Sequence, residues 1–96
     1  MTQTAPTPVA TQVSALEFPC EFPIKIMGRR QDGFAQAIAE IVVRHAPDFN
    51  AAALEMRTSS AGNYLSLTAT INAMSREQVD ALYRDLVADP MVAMVL

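Results

Sequence analysis

The stretch Tyr64–Ala73, which reads YLSLTATINA, decides the fold of this chain. Apolar side chains at every second position alternate with small polar residues, which is the period of a strand with one buried face. The inward set is Leu65, Leu67, Ala69 and Ile71, and the outward set is Ser66, Thr68 and Thr70. We therefore predict a strand over the whole stretch.

Two further strands are predicted upstream of it. Leu54–Ser59 precedes the turn Ser60–Asn63, in which Gly62-Asn63 supplies the positive φ that a hairpin commonly requires. Cys20–Gly28 (CEFPIKIMG) again alternates, with Phe22, Ile24 and Ile26 on one side. Both patterns indicate strands that can pair with the one at Tyr64–Ala73.

Two segments have the period of an amphipathic helix. In Asp32–Ala46 the apolar residues form one stripe, Asp32 is the expected N-cap, and Pro47 prevents continuation. In the second helix, Ser75 and Gln78 have the spacing of a capping box. Its apolar stripe consists of Val79, Leu82, Tyr83, Leu86 and Val87.

The uncharged segment Met91–Leu96 (MVAMVL) is predicted as the last strand, so the elements follow the order β-α-β-β-α-β. Right-handed crossovers and short connections favour one topology for this order, the ferredoxin-like sandwich. This is an α+β fold of two layers, in which a four-stranded antiparallel sheet carries two helices on one face. The first and third strands would lie at the centre, and the last strand on an edge.

The N-terminal segment differs from this domain, which we expect to span residues 16–96. Met1–Ala15 contains no charged side chain, no aromatic residue and no apolar periodicity, and it includes Pro6 and Pro8. These properties predict a disordered tail.

Composition excludes several classes of protein. The chain has 96 residues, 51% of them hydrophobic and 18% charged, with a net charge of -3. We expect no nucleic acid as a partner, because a basic surplus is lacking and Ser66, Thr68 and Thr70 take the place of stacking aromatics. We expect no membrane, because the apolar run Met91–Leu96 is far shorter than the ~20 residues of a spanning helix. The single cysteine, Cys20, indicates a reducing, cytoplasmic location.

Several blocks of the sequence resemble the YbeD-like family of small bacterial cytoplasmic proteins of unassigned function. The resemblance spans about residues 18–96, nearly all of the folded part, and its blocks are Phe18-Pro19, Arg44–Pro47, Ser59–Tyr64, Thr70–Ala73, Gln78-Val79 with Leu82-Tyr83, and Met94–Leu96. The resemblance implies a ferredoxin-like fold similar to the regulatory ACT domain and a connection with lipoate synthesis. It implies no catalytic residues.

The loop between the first strand and the first helix is the first candidate site. A helix N-terminus together with the forked donors of Arg29 and Arg30 can hold an anion or a carboxylate. Asp32-Gly33-Phe34 also resembles the ligand loop of ACT domains, although the proline of that loop is missing. The candidate residues are Gly28, Arg29, Arg30, Asp32 and Gly33. The alternative is a solvated loop in which Asp32 caps the helix.

The hairpin loop is the second candidate site. Ser59, Ser60, Gly62, Asn63 and Tyr64 combine hydroxyls, an amide and an aromatic ring that can form a polar recognition loop. The same residue types are those that a hairpin turn prefers, so a purely structural role remains the alternative.

The inventory of reactive side chains argues against an enzyme. Cys20 has no predicted cationic neighbour to activate it, and His45 is expected to serve the end of the first helix, with Asp48 orienting its ring. No group of three or four metal ligands occurs, so neither a metal nor another cofactor is expected.

The last strand is the third candidate, as a contact between two copies. Met91, Ala93, Met94 and Val95 belong to a segment without charge or proline on an edge of the sheet, where such residues favour pairing. Two functions are left open. One is a non-enzymatic regulatory or adaptor domain that binds a small anionic ligand or a partner enzyme. The other is an interaction module that forms a homodimer through its sheet.

Overall fold

The computed structural model describes residues 17–96, so the predicted tail Met1–Ala15 lies outside the described residues. The elements are β1 (Cys20–Arg29), α1 (Phe34–His45), a 3-10 turn (Ala51–Ala53), β2 (Glu55–Thr58), β3 (Tyr64–Ala73), α2 (Arg76–Ala88) and β4 (Val92–Val95). The strands form one antiparallel sheet in the order β2-β3-β1-β4. The α+β fold and the ferredoxin-like topology are confirmed, with β1 and β3 at the centre.

The core lies between the sheet and the two helices. It consists of the inward residues of β1 and β3 and the apolar stripes of α1 and α2, and its largest fully buried members are Phe34, Ile24, Ile26, Ile38, Leu67, Ile71, Leu82 and Leu86. The opposite side of the sheet, here called the open face, carries the alternate residues of the same strands. On β1 and β3 these are Glu21, Pro23, Lys25, Met27, Arg29, Tyr64, Ser66, Thr68, Thr70 and Asn72.

The two helices begin in different ways. At α2 the predicted cap is confirmed, since the Ser75 hydroxyl accepts a hydrogen bond from the Gln78 backbone N–H at 3.1 Å. At α1 the prediction that Asp32 is the N-cap is wrong. The N-cap is Gly33, whose φ of 83° lies in the left-handed region that suits glycine, and no side chain caps the helix.

The two edge strands are shorter than predicted and differ in regularity. β2 pairs with β3 in one unbroken register, from Glu55 opposite Thr68 to Thr58 opposite Leu65. The register between β1 and β4 shifts after Met27, which leaves Ala93 as an unpaired, bulged residue.

Candidate functional site

The two predicted loop sites meet at one end of the sheet. Arg29, the last residue of β1, lies opposite Tyr64, the first residue of β3. The Arg29 guanidinium is 5.9 Å from the centroid of the Tyr64 ring, which is within the range of a cation–π contact. The backbone N–H of Arg30 donates a 2.9 Å hydrogen bond to the carbonyl of Asn63. We call Arg29, Arg30, Asn63 and Tyr64 the basic corner.

The charges around the basic corner favour an anion. The ion pairs within residues 17–96 join Arg44 and His45 to Asp85 and Arg76 to Asp80, so neither arginine of the corner takes part in one. The adjacent helix α1 has no acidic residue in its first turn. Its positive end is therefore not neutralised from within the helix.

Lys25 does not belong to this corner. It lies on the open face four residues before Arg29 and opposite Thr68, about 13 Å along the strand at the usual rise per residue. Lys25, Arg29 and Arg30 thus form a pair of cations at the corner and a single charge in the middle of the sheet.

The hairpin residues largely form the turn itself. The Ser59 carbonyl accepts from the Gly62 N–H at 2.9 Å, and the Ser59 hydroxyl accepts from the Tyr64 N–H at 3.1 Å. Gly62 has a φ of 82°, in the left-handed region that this turn needs and that glycine adopts without strain. Ser60 is exposed. Of the five predicted residues, Asn63 and Tyr64 also contact the other loop.

Gly28, predicted as a ligand residue, is buried and allows two other groups to approach the strand. A Cβ at this position would lie 2.3 Å from the Met91 carbonyl oxygen and 2.8 Å from the Phe34 ring. The residue is a packing position between β1, β4 and the start of α1. Asp32 and Gly33 are exposed in the loop between β1 and α1.

The four residues predicted for self-association divide into two pairs. Met91 and Val95 are half-buried and pack against the core. Ala93 and Met94 are exposed, and Met94 shares the open face with Met27, its partner on β1. The next residue, Leu96, exchanges two backbone hydrogen bonds with Lys25, and its carbonyl also accepts from the Tyr83 hydroxyl at 3.2 Å.

The sequence analysis did not predict one contact between the two helices. His45 Nε2 lies 2.6 Å from Asp85 Oδ2, so Asp85 on α2 takes the part that we predicted for Asp48. The hydrogen bond from His45 lowers the pKa of the Asp85 carboxyl, and the positive charges of Arg44 and Arg84 act in the same direction. The side chains are 40 residues apart in sequence, and no local pattern signals such a contact.

Gln78 is the second link between the helices. Its side-chain oxygen accepts from the Met74 N–H, and its side-chain nitrogen donates to the His45 carbonyl at 2.9 Å. One residue thereby satisfies an orphan N–H before α2 and an orphan carbonyl at the end of α1. The capping-box prediction is confirmed for the Ser75 hydroxyl, but the Gln78 side chain accepts from the Met74 N–H and not from the Ser75 N–H, and its bond to His45 was not predicted.

Chemistry beyond binding has few candidates in residues 17–96. No group of three or more His, Cys, Asp or Glu side chains in that range is placed to hold a metal ion. Cys20 is a half-buried free thiol. None of the helices described is long and apolar enough to cross a membrane.

A shallow groove of about 280 Å³ runs along the open face between β2 and β3. Its lining residues are Lys25, Glu55, Arg57, Ser66 and Thr68, which carry charged or hydroxyl side chains, together with Met56 between Glu55 and Arg57 on β2. All four residues of β2 are exposed, so this strand presents charges at the rim of the sheet.

The fold has a counterpart among solved structures. The solution structure of protein HP0495 from H. pylori superimposes with a TM-score of 0.70, over 97% of this chain and 98% of that one. The sequences are 14% identical, so this likeness concerns the fold alone.

The sequence has much closer relatives. The UPF0250 protein NE1487 of Nitrosomonas europaea is 55% identical over 86 residues, which are 90% of this chain and 99% of the relative. The UPF0250 protein RSc0326 of Ralstonia nicotianae is 50% identical over 97 residues, covering both chains completely. A family model described as a protein of unknown function, DUF493, matches residues 13–96. The resemblance to the YbeD-like proteins is confirmed, and the chain belongs to the DUF493 (UPF0250) family of small bacterial proteins of unknown function.

Proposed function

We propose that this chain is a non-enzymatic regulatory or adaptor domain that binds an anionic group at the basic corner. The group is a carboxylate or phosphate carried by a small ligand or by a partner enzyme. The observation that carries the proposal is the junction of the two loops, where the backbone hydrogen bond from Arg30 to Asn63 and the contact of Arg29 with Tyr64 bring together two arginines that form no ion pair within residues 17–96.

The geometry suits a planar anion. A guanidinium presents parallel N–H donors that match a carboxylate, and the contact of Arg29 with the Tyr64 ring favours one position of the guanidinium before binding. The chain has a net charge of -3, so the corner is a local positive region on an acidic protein and steers anions towards itself. The hydrogen bond of His45 to Asp85 gives the only histidine a structural part, which supports a binding rather than a catalytic function.

Thermal unfolding with a panel of anions tests the proposal. The panel contains amino acids, nucleotides, and lipoate and octanoate, the last two because the resemblance to YbeD-like proteins implies a link with lipoate metabolism. A ligand at about 100 times its Kd adds about 2.7 kcal/mol to the stability of the folded state. We place this function in the cytoplasm, where the lone cysteine stays reduced.

Variants identify the site. Replacing Arg29 and Arg30 together by Ala is expected to abolish the rise in Tm, whereas Arg84→Ala, an exposed arginine on α2, keeps it. An equal rise in the double variant would place the ligand elsewhere. For a partner enzyme the same three proteins serve as baits, and a partner recovered equally by all of them would contradict the assignment.

A second candidate function is self-association through the sheet, without a ligand. Met94 is 49% exposed and Leu96 52% exposed, side by side where β4 borders the open face. Methionine and leucine side chains left open on an edge strand favour pairing with another chain. Sedimentation of the purified protein tests this function, since a monomer at every concentration would exclude it.

A further inference from the structure

The edge strand β2 has a charge pattern that is complementary to itself. Glu55 lies opposite Thr68 and Arg57 opposite Ser66, so both charged side chains stand on the open face, two residues apart. Met56 between them lies opposite the buried Leu67 and points to the other face, where it is 62% exposed. The strand is short, regular and solvent-exposed at all four positions.

The backbone N–H and C=O of Met56 point away from β3, so they can pair with another strand. The Ser59 N–H bonds to the Tyr64 carbonyl, which makes Ser59 and Tyr64 a hydrogen-bonded pair. Such pairs alternate along an antiparallel ladder, so Arg57 and Glu55 also direct their backbone groups towards β3. Met56 and Thr58 direct theirs outwards, to the edge at which no other strand of residues 17–96 pairs.

We propose that the β2 edge binds a second copy of this chain, in a two-fold antiparallel pairing centred on Met56. In this register the two Met56 residues exchange their outward N–H and C=O groups. Glu55 lies opposite the partner's Arg57, and Arg57 lies opposite the partner's Glu55. Both ion pairs stand on the open face, and the two Met56 side chains meet on the opposite side.

Charge selects this register over its neighbours. A centre at Arg57 would place two arginines opposite each other, and a centre at Glu55 would place two glutamates opposite each other. Like charges directly opposite destabilise a strand pair, whereas opposite charges stabilise it. Only the centre at Met56 pairs both charges with their opposites.

The other edge of the sheet is less suited to this pairing. Ala93 is bulged out of the ladder between β1 and β4, and bulges interrupt edge-to-edge pairing. Beside β2, in contrast, a shallow groove between α1 and the 3-10 turn is lined by Ala39, Val43 and Ala51. It adds exposed apolar surface next to the segment that leads into β2.

This inference rests on the second candidate function, self-association through the sheet, and assigns the contact to β2. Its test separates a contact at β2 from a contact at β4. Sedimentation velocity of the full chain from about 10 µM to about 1 mM is expected to show a monomer–dimer equilibrium. Glu55→Arg and Arg57→Glu should each shift the mass to the monomer, because each makes β2 uniformly charged. Both positions are exposed, so circular dichroism should not change.

The mass of a mixture of the two single variants is the decisive measurement. The Glu55→Arg chain carries only cations on β2 and the Arg57→Glu chain only carboxylates, so an equimolar mixture should dimerise again. The double variant Glu55→Arg/Arg57→Glu should also dimerise alone, since its pattern is again complementary to itself. A wild-type monomer at the highest concentration, or a dimer that persists in both single variants, would overturn the proposal. Loss of the dimer in Met94→Lys but not in the β2 variants would preserve self-association and assign it to β4.

Discussion

Gly28 is the position at which the smallest substitution should have the largest effect on stability. Replacing it by Ala adds a Cβ 2.3 Å from the Met91 carbonyl oxygen and 2.8 Å from the Phe34 ring. Ordinary contact begins at 3.4 Å, so the carbonyl must move by about 1 Å and the ring by more than half of that. Neither has room to do so easily, because Phe34 is fully buried and the Met91 carbonyl belongs to the backbone leading into β4.

We expect Gly28→Ala to lower the free energy of unfolding by about 2–3 kcal/mol, the cost of overpacking a tight site. For a domain of this size each kcal/mol corresponds to about 4–8 °C in Tm, so the transition should fall by roughly 10–20 °C. Urea denaturation at constant pH measures the free energy, and a calorimetric scan measures Tm.

Gly33→Ala is the matched control. Gly33 has a φ of +83° and nothing within 4 Å of its added Cβ, so this variant suffers only the left-handed strain, about 1 kcal/mol. Combining Gly28→Ala with Phe34→Leu should cost less than the sum of the two single changes, because the shorter side chain relieves one of the clashes. A loss at Gly28 no larger than at Gly33, together with simple additivity, would refute the steric argument.

Three further predictions follow from the helices and the tail. The pKa of Asp85 is lowered in the folded state, so its ionised carboxylate stabilises the fold above the unfolded value of 3.8. This contribution is lost as the pH falls through the folded pKa. In Asp85→Asn the free energy of unfolding should therefore fall less steeply on acidification than in the unchanged protein. Ser75→Ala removes the helix cap and should cost about 1 kcal/mol. Gln78→Ala should destabilise the protein more, because Gln78 also bonds to the His45 carbonyl. Equal losses of unfolding free energy in urea would exclude the bridging role of Gln78. Deletion of residues 1–15 is expected to leave Tm within error, since their sequence offers no amphipathic surface to bury; a fall of several degrees would show that the segment contributes to the fold.

The strands were predictable where one face is buried. The predicted strand Tyr64–Ala73 agrees with β3 at both ends, because alternate residues along most of its length enter the core and the polar residues between them stay on the open face. β2 lacks such a contrast, since all four of its residues are exposed, and its ends were predicted one residue too far on either side. A two-residue period is readable only when burial enforces it.

The candidate site was predictable in its parts but not as a whole. Arg29 and Tyr64 were each singled out, yet their meeting depends on the register of β1 against β3, which no local pattern contains. The start of α1 was misplaced because an aspartate normally makes a better cap than glycine, whereas here the left-handed backbone at Gly33 ends the loop. The His45–Asp85 contact depends on how two helices pack, and periodicity does not determine that arrangement.

The bulge at Ala93 has a consequence for the size of any assembly. Two copies joined at β2 would form a continuous eight-stranded sheet, and both of its outer strands would be β4. A regular strand at those positions would accept another molecule at each end, and the sheet would grow into a fibre. The ladder beside Ala93 is irregular, and an irregular edge disfavours further strand pairing, so we expect addition to stop at two molecules. Removing the bulge by deleting Ala93 would therefore test whether this chain resists fibril formation through its outermost strand.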